Sequence, residues 1–444
     1  MSMLYSPGRS RDSKHWNGIR ARHIPIDAHE GDRRAFLRRH ESAAKSALRS
    51  PKDQQEQLLA PLRNRIADAR TLKLALEQLQ LEGGQSPGPN GLRYDDLDHY
   101  LVWDMIRALS DSIRAGTYQP GPTRSVKIPK SSGGTRTLTL ANIEDRVVSK
   151  AALMVIQPML DPTFDACSFG GRPGRDRLNA LAEAKYQTET QGRRIWVIED
   201  IQSAFDKVPF GRLRDVLRKR LPNKDVCELV ERLARRRMNG RVTKLGIQQG
   251  NPLSPLLLNL YLDHILDRVW KRKFPDLPLL RTIDDILVPV SGEEDVQRVR
   301  NGLRELLVPG GMPLQKTKSQ VVHLEDSERT VWLGYELSWH GGVLDVQIPQ
   351  SGWEVLEKSF IEAHESPFPS RKAEECLVGW LSQQGPAYSH HKEIIPRLHK
   401  LASCYAHEEL PAQEELAGIW ERAYGRWNNV YGKLLLKGSQ YVVS

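Results

Sequence analysis

The chain has 444 residues, enough for two or three packed units, and its 39% of hydrophobic residues is ordinary for a protein with a buried core. Its net charge of +10 and isoelectric point near 9.3 suit a polyanionic partner without proving one. Because no apolar run approaches the ~20 residues of a membrane helix and the four cysteines lack Cys-x-x-Cys spacing, we expect a cytoplasmic protein without membrane partner, zinc knuckle or disulfide framework.

The first 60 residues are basic, with twelve lysines and arginines against seven aspartates and glutamates. Arg33-Arg34 and Arg38-Arg39 bracket Phe36-Leu37 on a predicted short helix, which is either a solvated face or a contact for an RNA backbone. Apolar residues at helical spacing then predict a helix over 62–82. We interpret residues 1–82 as a basic helical extension.

Residues 83–91 are dense in glycine and proline, which predicts a loop ahead of a helix that ends near Ile113. The stretch from Arg124 to Leu138 then predicts two short strands joined by a Gly-Gly turn, with cations on both arms. Such a hairpin can lay lysine or arginine over a triphosphate. Surface cations on an exposed hairpin are the alternative.

Two later stretches place carboxylates at the ends of predicted strands. Residues 195–208 read as an apolar strand that ends at Asp200, and residues 279–290 read as a tight hairpin with Asp284-Asp285 at its tip. A single aspartate at a strand end is more often a turn former or a helix N-cap. If the strands are neighbours, however, Asp200 and Asp284 converge, and like charges that close persist only beside a cation. Oxygen ligands suit Mg²⁺, and two ions roughly 3.5–4 Å apart clamp both oxygens of an in-line phosphoryl transfer.

The order of elements in this region predicts a fold. We expect a strand at 195–200, helices near 208–220 and 223–238, a hairpin around Gly240, a helix at 252–270, a hairpin at 279–290, a helix at 293–307 and a strand near 319–324. The sheet elements and the two helices behind them give β-α-β-β-α-β, the arrangement of many polymerase palms. Residues 351–436 are helical in pattern, with Trp380, Trp420 and Trp427 as packing aromatics.

Several sequence blocks resemble those of bacterial reverse transcriptases of the group II intron type. They include Glu-Asp-Ile-Gln-Ser-Ala-Phe-Asp at 199–206, Gln-Gly-Asn-Pro-Leu-Ser-Pro at 249–255 and Thr-Ile-Asp-Asp at 282–285. The resemblance covers roughly residues 85–340, with the blocks in order. It implies an α+β right-hand polymerase fold: fingers at 83–194, a ferredoxin-like βαββαβ palm with interleaved finger elements at 195–345, and an α-helical thumb at 346–444.

The resemblance also implies roles for individual residues. Two Mg²⁺ ions, with Mn²⁺ as an alternative, would be held at Asp200, Ile201, Asp284 and Asp285. Lys316 would protonate the leaving pyrophosphate, although an exposed lysine before a strand explains it equally well. Arg136 with Lys127 or Lys130 would bind the incoming phosphates, Phe205 would meet the sugar, and Gln249-Gly250 would lie beside the template–nucleotide pair. Arg172, Arg175 and Gly334 would contact nucleic acid.

The expected activity is therefore RNA-directed DNA synthesis from dNTPs, with an RNA template and a DNA product or primer as partners. Phe205 favours DNA over RNA synthesis, and a homo-oligomer is left open. Thr282 departs from the family, in which tyrosine opens this box. Together with the basic first 60 residues and the lack of an endonuclease block, it suggests a stand-alone enzyme of antiphage defence that copies a dedicated non-coding RNA. The alternative is an intron-encoded reverse transcriptase or maturase that acts chiefly as an RNA-binding splicing factor.

Overall fold

A computed structural model describes most of the chain beyond the first residues. The described residues are 35, 38–42, 45–46, 49–82, 86–129, 135–238, 241–326, 328–366, 368–407 and 410–438. Arg33-Arg34, Phe36-Leu37, Lys130 and Gly240 therefore lie outside them. Among the described residues, no helix combines the length and the apolar composition that crossing a bilayer requires.

The helices follow in chain order. They are α1 (Lys52–Leu59), α2 (Leu62–Ile66), α3 (Ala69–Glu82), α4 (His99–Ala115), α5 (Ile143–Leu160), α6 (Arg177–Glu189), α7 (Ala204–Lys207), α8 (Phe210–Arg220), α9 (Lys224–Ala234), α10 (Ser254–Leu262), α11 (Arg268–Lys273), α12 (Glu293–Leu307), α13 (Gln350–Ala363), α14 (Pro369–Leu381), α15 (His391–Cys404) and α16 (Gln413–Lys437). A π-helical turn, Asp263–Asp267, joins α10 to α11.

The strands are shorter and fall into separate sheets. They are β1 (Arg124–Pro129), β2 (Thr135–Leu140), β3 (Ile195–Asp200), β4 (Arg235–Met238), β5 (Arg241–Ile247), β6 (Leu280–Thr282), β7 (Asp285–Val290), β8 (Gln320–His323), β9 (Thr330–Trp332), β10 (Tyr335–His340) and β11 (Val343–Gln347).

The chain forms two compact units, each built from separate stretches of sequence. Unit 1 comprises residues 1–165, 202–265 and 309–312, and unit 2 comprises residues 166–201, 266–308 and 313–444. The predicted domain boundaries after residues 82, 194 and 345 stay predictions.

In unit 1, local polar groups decide where helices begin and end. The predicted helix over 62–82 is two helices, because the Asp68 carboxylate accepts hydrogen bonds from the Arg70 backbone at 3.0 Å and from its side chain. Gly116, at φ +75°, ends α4 and forms the expected turn. The helix predicted to reach residue 238 ends at Ala234, because Arg235–Met238 pair with β5 instead.

In unit 2, the described strands that carry the carboxylates form one antiparallel sheet in the order β6-β7-β3-β8. Numbered by their place in the βαββαβ unit, these strands are the second, third, first and fourth, which is the strand order of a ferredoxin-like fold. Trp196 of β3 is 0% exposed and its indole N–H donates to the Thr188 hydroxyl at 2.9 Å, which fixes the sheet on α6. The predicted α+β fold class is confirmed.

The remainder of unit 2 combines a small sheet with a helical core. Strands β9, β10 and β11 form a small antiparallel sheet. Helices α13 to α16 follow. Trp420 is fully buried in their common core and Trp380 packs on its edge, so both are packing aromatics.

Candidate active site

The sheet of unit 2 brings the predicted carboxylates together. Asp200 is the last residue of β3 and lies directly opposite Asp285, the first residue of β7. Opposite residues of an antiparallel pair share one face of the sheet, about 4.5–5.5 Å apart at Cβ. Asp284 precedes Asp285 in the turn, and its carbonyl accepts a hydrogen bond from the Ile201 backbone at 3.0 Å. The pairing of β3 with the turn thus continues one residue beyond the strand.

The crowding of these acids is visible in their pKa values. Burial raises the pKa of Asp284, and the nearby Asp200 carboxylate raises it further. Burial followed by the charges of Asp284 and Asp200 raises the pKa of Asp285 to about 7. Like charges this close favour protonation unless a cation is present.

Lys318 supplies one positive charge to the cluster. Its Nζ lies 2.5 Å from Oδ2 of Asp200. Burial lowers the pKa of Lys318, but the bond to Asp200 and the surrounding carboxylates raise it more, so the ammonium stays charged. Sequence analysis missed this lysine and named Lys316, which is exposed two residues earlier in the same short 3₁₀ turn. The role of Lys316 stays a prediction.

The segment that carries Lys318 is fixed to the end of β3. The Gln315 backbone N–H donates to the Asp200 carbonyl at 2.7 Å, and Leu314 pairs with Ile201. The position of Lys318 therefore depends on a pairing between distant stretches. The sequence offers two lysines, at 316 and 318, and nothing local that separates them.

Glu199 contributes to the sheet and not to the cluster. Alternation along β3 directs it away from Asp200, and it is only 2% exposed. Its carboxylate accepts a hydrogen bond from the Ser319 hydroxyl at 2.8 Å, and the Arg300 guanidinium lies 3.6 Å away. Glu199 is thus a structural anchor for the segment that follows Lys318.

The carboxylates have the donor chemistry that suits a magnesium ion. Within the described ranges, no three histidine, cysteine, aspartate or glutamate side chains converge into a ready-made cage. Mg²⁺ does not need one, since it binds through one or two carboxylates plus waters and substrate phosphates. Asp200 and Asp285 share a face, and the Lys318 ammonium already takes the place of a cation beside Asp200. Ile201 is fully buried and could contribute only its backbone carbonyl.

The predicted nucleic-acid loop packs on the catalytic turn. A Cβ on Gly170 would lie 2.9 Å from Cγ2 of Thr282. Arg172 is 9% exposed and donates to the Ser168 carbonyl at 2.9 Å, while Arg175 donates to the Ala166 carbonyl at 2.6 Å. Both arginines therefore also hold the shape of the loop.

A groove in unit 2 carries a strong excess of positive charge. One cavity of about 750 Å³ is lined by Arg172, Arg175, Arg177, Arg426 and Lys433, with Asp176 as the acid among the described lining residues. A second cavity of about 610 Å³ shares Ser382, Arg426 and Asn429 with it and adds Arg422. Residues 422, 426, 429 and 433 repeat at helical spacing along one face of α16. We call this surface the cationic groove.

Gly334, the third predicted nucleic-acid position, lies in the turn between β9 and β10. Its φ is +80° and that of Leu333 is +50°, a pair of left-handed residues that suits a two-residue hairpin. A Cβ at Gly334 would lie 3.2 Å from a guanidinium nitrogen of Arg177. The turn thus lies beside one of the arginines that line the cationic groove.

In unit 1, the hairpin separates two of the predicted phosphate ligands. Lys127 lies opposite Thr137 and Arg136 opposite Ile128, so the two cations point to opposite faces of the β1–β2 ribbon. Lys130 lies outside the described residues. Both Lys127 and Arg136 are exposed.

The same unit joins the hairpin to the predicted nucleotide block. The Thr139 backbone N–H in β2 donates to the Gln249 carbonyl at 2.8 Å. Gly250 has φ +96°, and a Cβ there would lie 3.0 Å from the Thr139 carbonyl oxygen. Glycine is therefore required by both conformation and space. Phe205 is half-buried in α7, also in unit 1.

Comparison with known proteins agrees with this geometry. Residues 128–337 match the family model of "Reverse transcriptase (RNA-dependent DNA polymerase)". The chain is 34% identical over 194 residues to the protein YkfC of Escherichia coli, a match that covers 42% of this chain and 50% of that protein. It is 29% identical over 179 residues to the group II intron-encoded protein LtrA of Lactococcus lactis, which covers 39% and 29%.

A further relative is matched over a smaller share of its own length. A putative COX1/OXI3 intron 2 protein of Saccharomyces cerevisiae is 30% identical over 47% of this chain and 24% of its own length. The chain thus spans no more than half the length of these curated relatives. Among solved structures, telomerases of Candida albicans and Candida tropicalis match with TM-scores of 0.41 and 0.42 at 11% and 12% identity. The first covers 73% of this chain and 66% of the telomerase, and the second 76% and 68%.

Proposed function

We propose that the reverse transcriptase domain of this chain is an RNA-directed DNA polymerase that extends a primer with dNTPs. The observation that carries the proposal is the pairing of Asp200 with Asp285, with Asp284 in the adjoining turn. This arrangement places acids that oppose one another's ionisation at the end of a buried strand. Such a cluster is suited to divalent cations and to phosphoryl transfer.

The residues of unit 2 have separate tasks in this reaction. Asp200, Asp284 and Asp285 would hold Mg²⁺, with Ile201 contributing its carbonyl. The metal supplies charge neutralisation at the phosphate and activation of the primer hydroxyl. Lys318 orients Asp200, since its ammonium donates to that carboxylate. We assign protonation of the leaving pyrophosphate to Lys316, which is exposed and can exchange protons with water.

The residues of unit 1 would select the nucleotide. Arg136 is proposed to bind the triphosphate, with Lys130 as its partner rather than Lys127, which points to the other face of the ribbon. Phe205 is proposed to contact the sugar. Gln249 and Gly250 are proposed to lie beside the template–nucleotide pair. The bond from Thr139 to Gln249 supports a shared role for the hairpin and this block, because each restrains the other.

The cationic groove supports nucleic-acid binding. A row of cations along one helix face can neutralise successive phosphates of a strand, which gives affinity without sequence readout. Arg172 and Arg175 line this groove, as does Lys433, which is exposed. We therefore propose an RNA template and a DNA primer or product as partners in the cytoplasm; an assembly of several copies stays open.

The biological setting has two candidates. Thr282 and the basic first 60 residues favour a stand-alone enzyme that copies a dedicated non-coding RNA in antiphage defence. The names of the relatives favour the alternative, an intron-encoded reverse transcriptase or maturase. Sequencing the RNA and cDNA that copurify with the protein separates the two, because an intron lariat would contradict the defence role.

The chemistry is tested by replacing the metal ligands. We expect Asp200→Asn and Asp284→Asn to lower primer extension by at least 10³-fold, a loss of roughly 4 kcal/mol of transition-state stabilisation. Asp276→Asn is the matched control, because this carboxylate pairs with Arg298 at the exposed surface of the same unit. Primer extension at the wild-type rate by a folded Asp284→Asn variant would falsify the assignment.

A further inference from the structure

Arg281 is the residue immediately before the catalytic turn, and it is 0% exposed. Its Nε donates to Oδ1 of Asp267 at 2.8 Å, and its Nη2 donates to Oδ2 at 2.6 Å. Asp267 is itself 1% exposed. A guanidinium and a carboxylate are thus joined by two parallel hydrogen bonds inside the unit, the strongest geometry such a pair adopts.

The same guanidinium reaches the turn that carries Asp284. Its Nη1 donates to the Ile283 carbonyl at 2.9 Å, and its Nη2 also donates to the Ser168 hydroxyl at 2.9 Å. The backbone of Arg281 is fixed as well, because it pairs with Cys167 and Phe169 at 2.8 Å each. Arg281 therefore connects the turn to the loop at 167–169 and to Asp267.

The turn needs such a restraint. Ile283 has φ +61°, a left-handed conformation that is strained for a β-branched residue. Strained backbone persists only where the surroundings hold it. The hydrogen bond from Arg281 to the carbonyl of Ile283 acts on this residue directly, and Asp284 follows it in the chain.

The position of Asp267 depends on an irregular helix. Asp267 is the last residue of the π-helical turn Asp263–Asp267. A π-turn contains one residue more than a regular turn, so the side chains after it are rotated by about 100°. Burying an ion pair seldom increases stability over an apolar pair. The π-turn and the buried ion pair are therefore better explained by a function at the turn that carries Asp284 than by a gain in stability.

We propose that Arg281, oriented by Asp267, is a positioning residue that holds Ile283 in its left-handed conformation and thereby aims Asp284 at the metal. The inference rests on the proposed polymerase function. Because the guanidinium is enclosed by protein, Arg281 acts through the turn and does not contact the substrate.

The proposal is tested with two conservative variants. Arg281→Lys keeps the charge but loses the fork, and Asp267→Asn keeps the shape but loses the charge. For either variant we expect kcat to fall at least tenfold, while the KM for dNTP changes less than threefold. Binding of Mn²⁺ alone, followed by electron paramagnetic resonance, should weaken at least tenfold in parallel.

The matched control is Arg220→Lys. Arg220 pairs with Asp263 at the other end of the same π-turn, and it also donates to the carbonyl and the hydroxyl of Thr163. We expect this variant to keep wild-type kcat and Mn²⁺ affinity, even if its thermal unfolding shifts equally.

Three outcomes overturn the proposal. They are wild-type kcat and Mn²⁺ affinity in folded Arg281→Lys or Asp267→Asn, losses no larger than the unfolded fraction, and equal losses in Arg220→Lys. If Arg281→Lys does not fold, the isosteric Asp267→Asn decides. The Mn²⁺ measurement does not depend on polymerisation, so failure of the proposed function is distinguishable from failure of the positioning role.

Discussion

Asp285 is the acid of this site whose ionisation its surroundings oppose strongly. Its pKa of about 7 lies far above that of an ordinary aspartate, because it is buried beside Asp284 and Asp200. Between about pH 4 and pH 7 the folded protein therefore binds protons that the unfolded chain has released. Stability must fall as the pH rises through this window, because folding opposes ionisation.

We predict this slope for the metal-free protein. Asp285 should lower the free energy of unfolding from pH 4 to pH 7, by at most about 1.4 kcal/mol per pH unit for this one group. Added Mg²⁺ should flatten the profile, because bound cations favour the ionised carboxylates. Urea unfolding at several pH values measures it, with Asp285→Asn as the comparison. A slope unchanged in Asp285→Asn would show that the proton is bound elsewhere.

Phe205 is the residue at which sugar selectivity is expected to reside. A phenyl ring collides with a ribose 2′-hydroxyl but leaves room for deoxyribose. Phe205→Ala should therefore accept ribonucleotides, lowering the preference for dNTP over rNTP by about 10–100-fold, or 1.4–2.8 kcal/mol. Competition between labelled dNTP and rNTP measures this ratio. The phenylalanine Phe210, buried in α8, provides the control through Phe210→Leu, which should leave selectivity unchanged.

Some residues of the candidate site could be predicted from the sequence and others could not. Asp200, Asp284 and Asp285 could be predicted, because alternation and turn patterns place acids at strand ends. Lys318 and Arg281 could not. Lys318 reaches Asp200 through the pairing of Leu314 with Ile201, and Arg281 reaches Asp267 through a π-turn. Both contacts join stretches that no local pattern connects.

At the scale of elements, the contact between β2 and Gln249-Gly250 leaves little room for a larger side chain at residue 250. It depends on one hydrogen bond and on Gly250, which has φ +96° and at which a Cβ would lie 3.0 Å from the Thr139 carbonyl oxygen. A side chain at residue 250 must either push β2 away or change the backbone. The hairpin would then lose its restraint, although its own strands remain paired.

Gly250→Ala should therefore raise the KM for dNTP about tenfold, because β2 or the backbone at residue 250 must move. The same strain should lower the free energy of unfolding by about 1–3 kcal/mol. Gly192→Ala is matched for conformation, because Gly192 has φ +69° but no atom within 4 Å of an added Cβ. Steady-state kinetics and thermal unfolding of both variants separate the two effects. Equal KM values in Gly250→Ala and Gly192→Ala would mean that the contact between β2 and Gln249-Gly250 has no part in nucleotide binding.

Element boundaries were predicted well where a local signal ends the element. The strand at 195–200 matches the structure because charged residues bound an apolar run, and the helix at 293–307 matches because acids begin it and Pro309-Gly310 follow it. The predicted end of α9 at residue 238 was wrong. Arg235–Met238 carry no strand pattern of their own, and they form a strand because they pair with β5. Strand β11 was not expected either, although its residues alternate between buried and more exposed positions.

At the scale of the whole molecule, the net charge of +10 is partly concentrated in the cationic groove. If this groove binds a nucleic-acid strand, affinity must depend on salt, because each neutralised phosphate releases counterions. The groove is lined mainly by α16, the loop at 172–176 and the start of α6, so the effect should follow that surface and not the net charge.

We predict that Arg426→Gln with Lys433→Gln weakens RNA binding and reduces the log–log salt slope by about 0.7 for each phosphate of a single strand that the variant no longer neutralises. The control removes the same charge with Lys358→Gln and Arg371→Gln, exposed cations that pair with glutamates on their own helices. Filter binding at several salt concentrations measures both. The same slope change in both double variants would indicate a general effect of charge.

The division of each unit among distant stretches also bears on synthesis. Unit 1 begins with the first residues but is completed by residues 309–312, where the Tyr261 hydroxyl donates to the Gly310 carbonyl at 2.7 Å. On the ribosome its first 165 residues must therefore wait for later segments, on the order of 7–30 s at usual elongation rates. During that interval the buried face of α5 has no complete partner. Chaperone demand and the pace of translation before residue 312 should consequently govern the yield of folded protein.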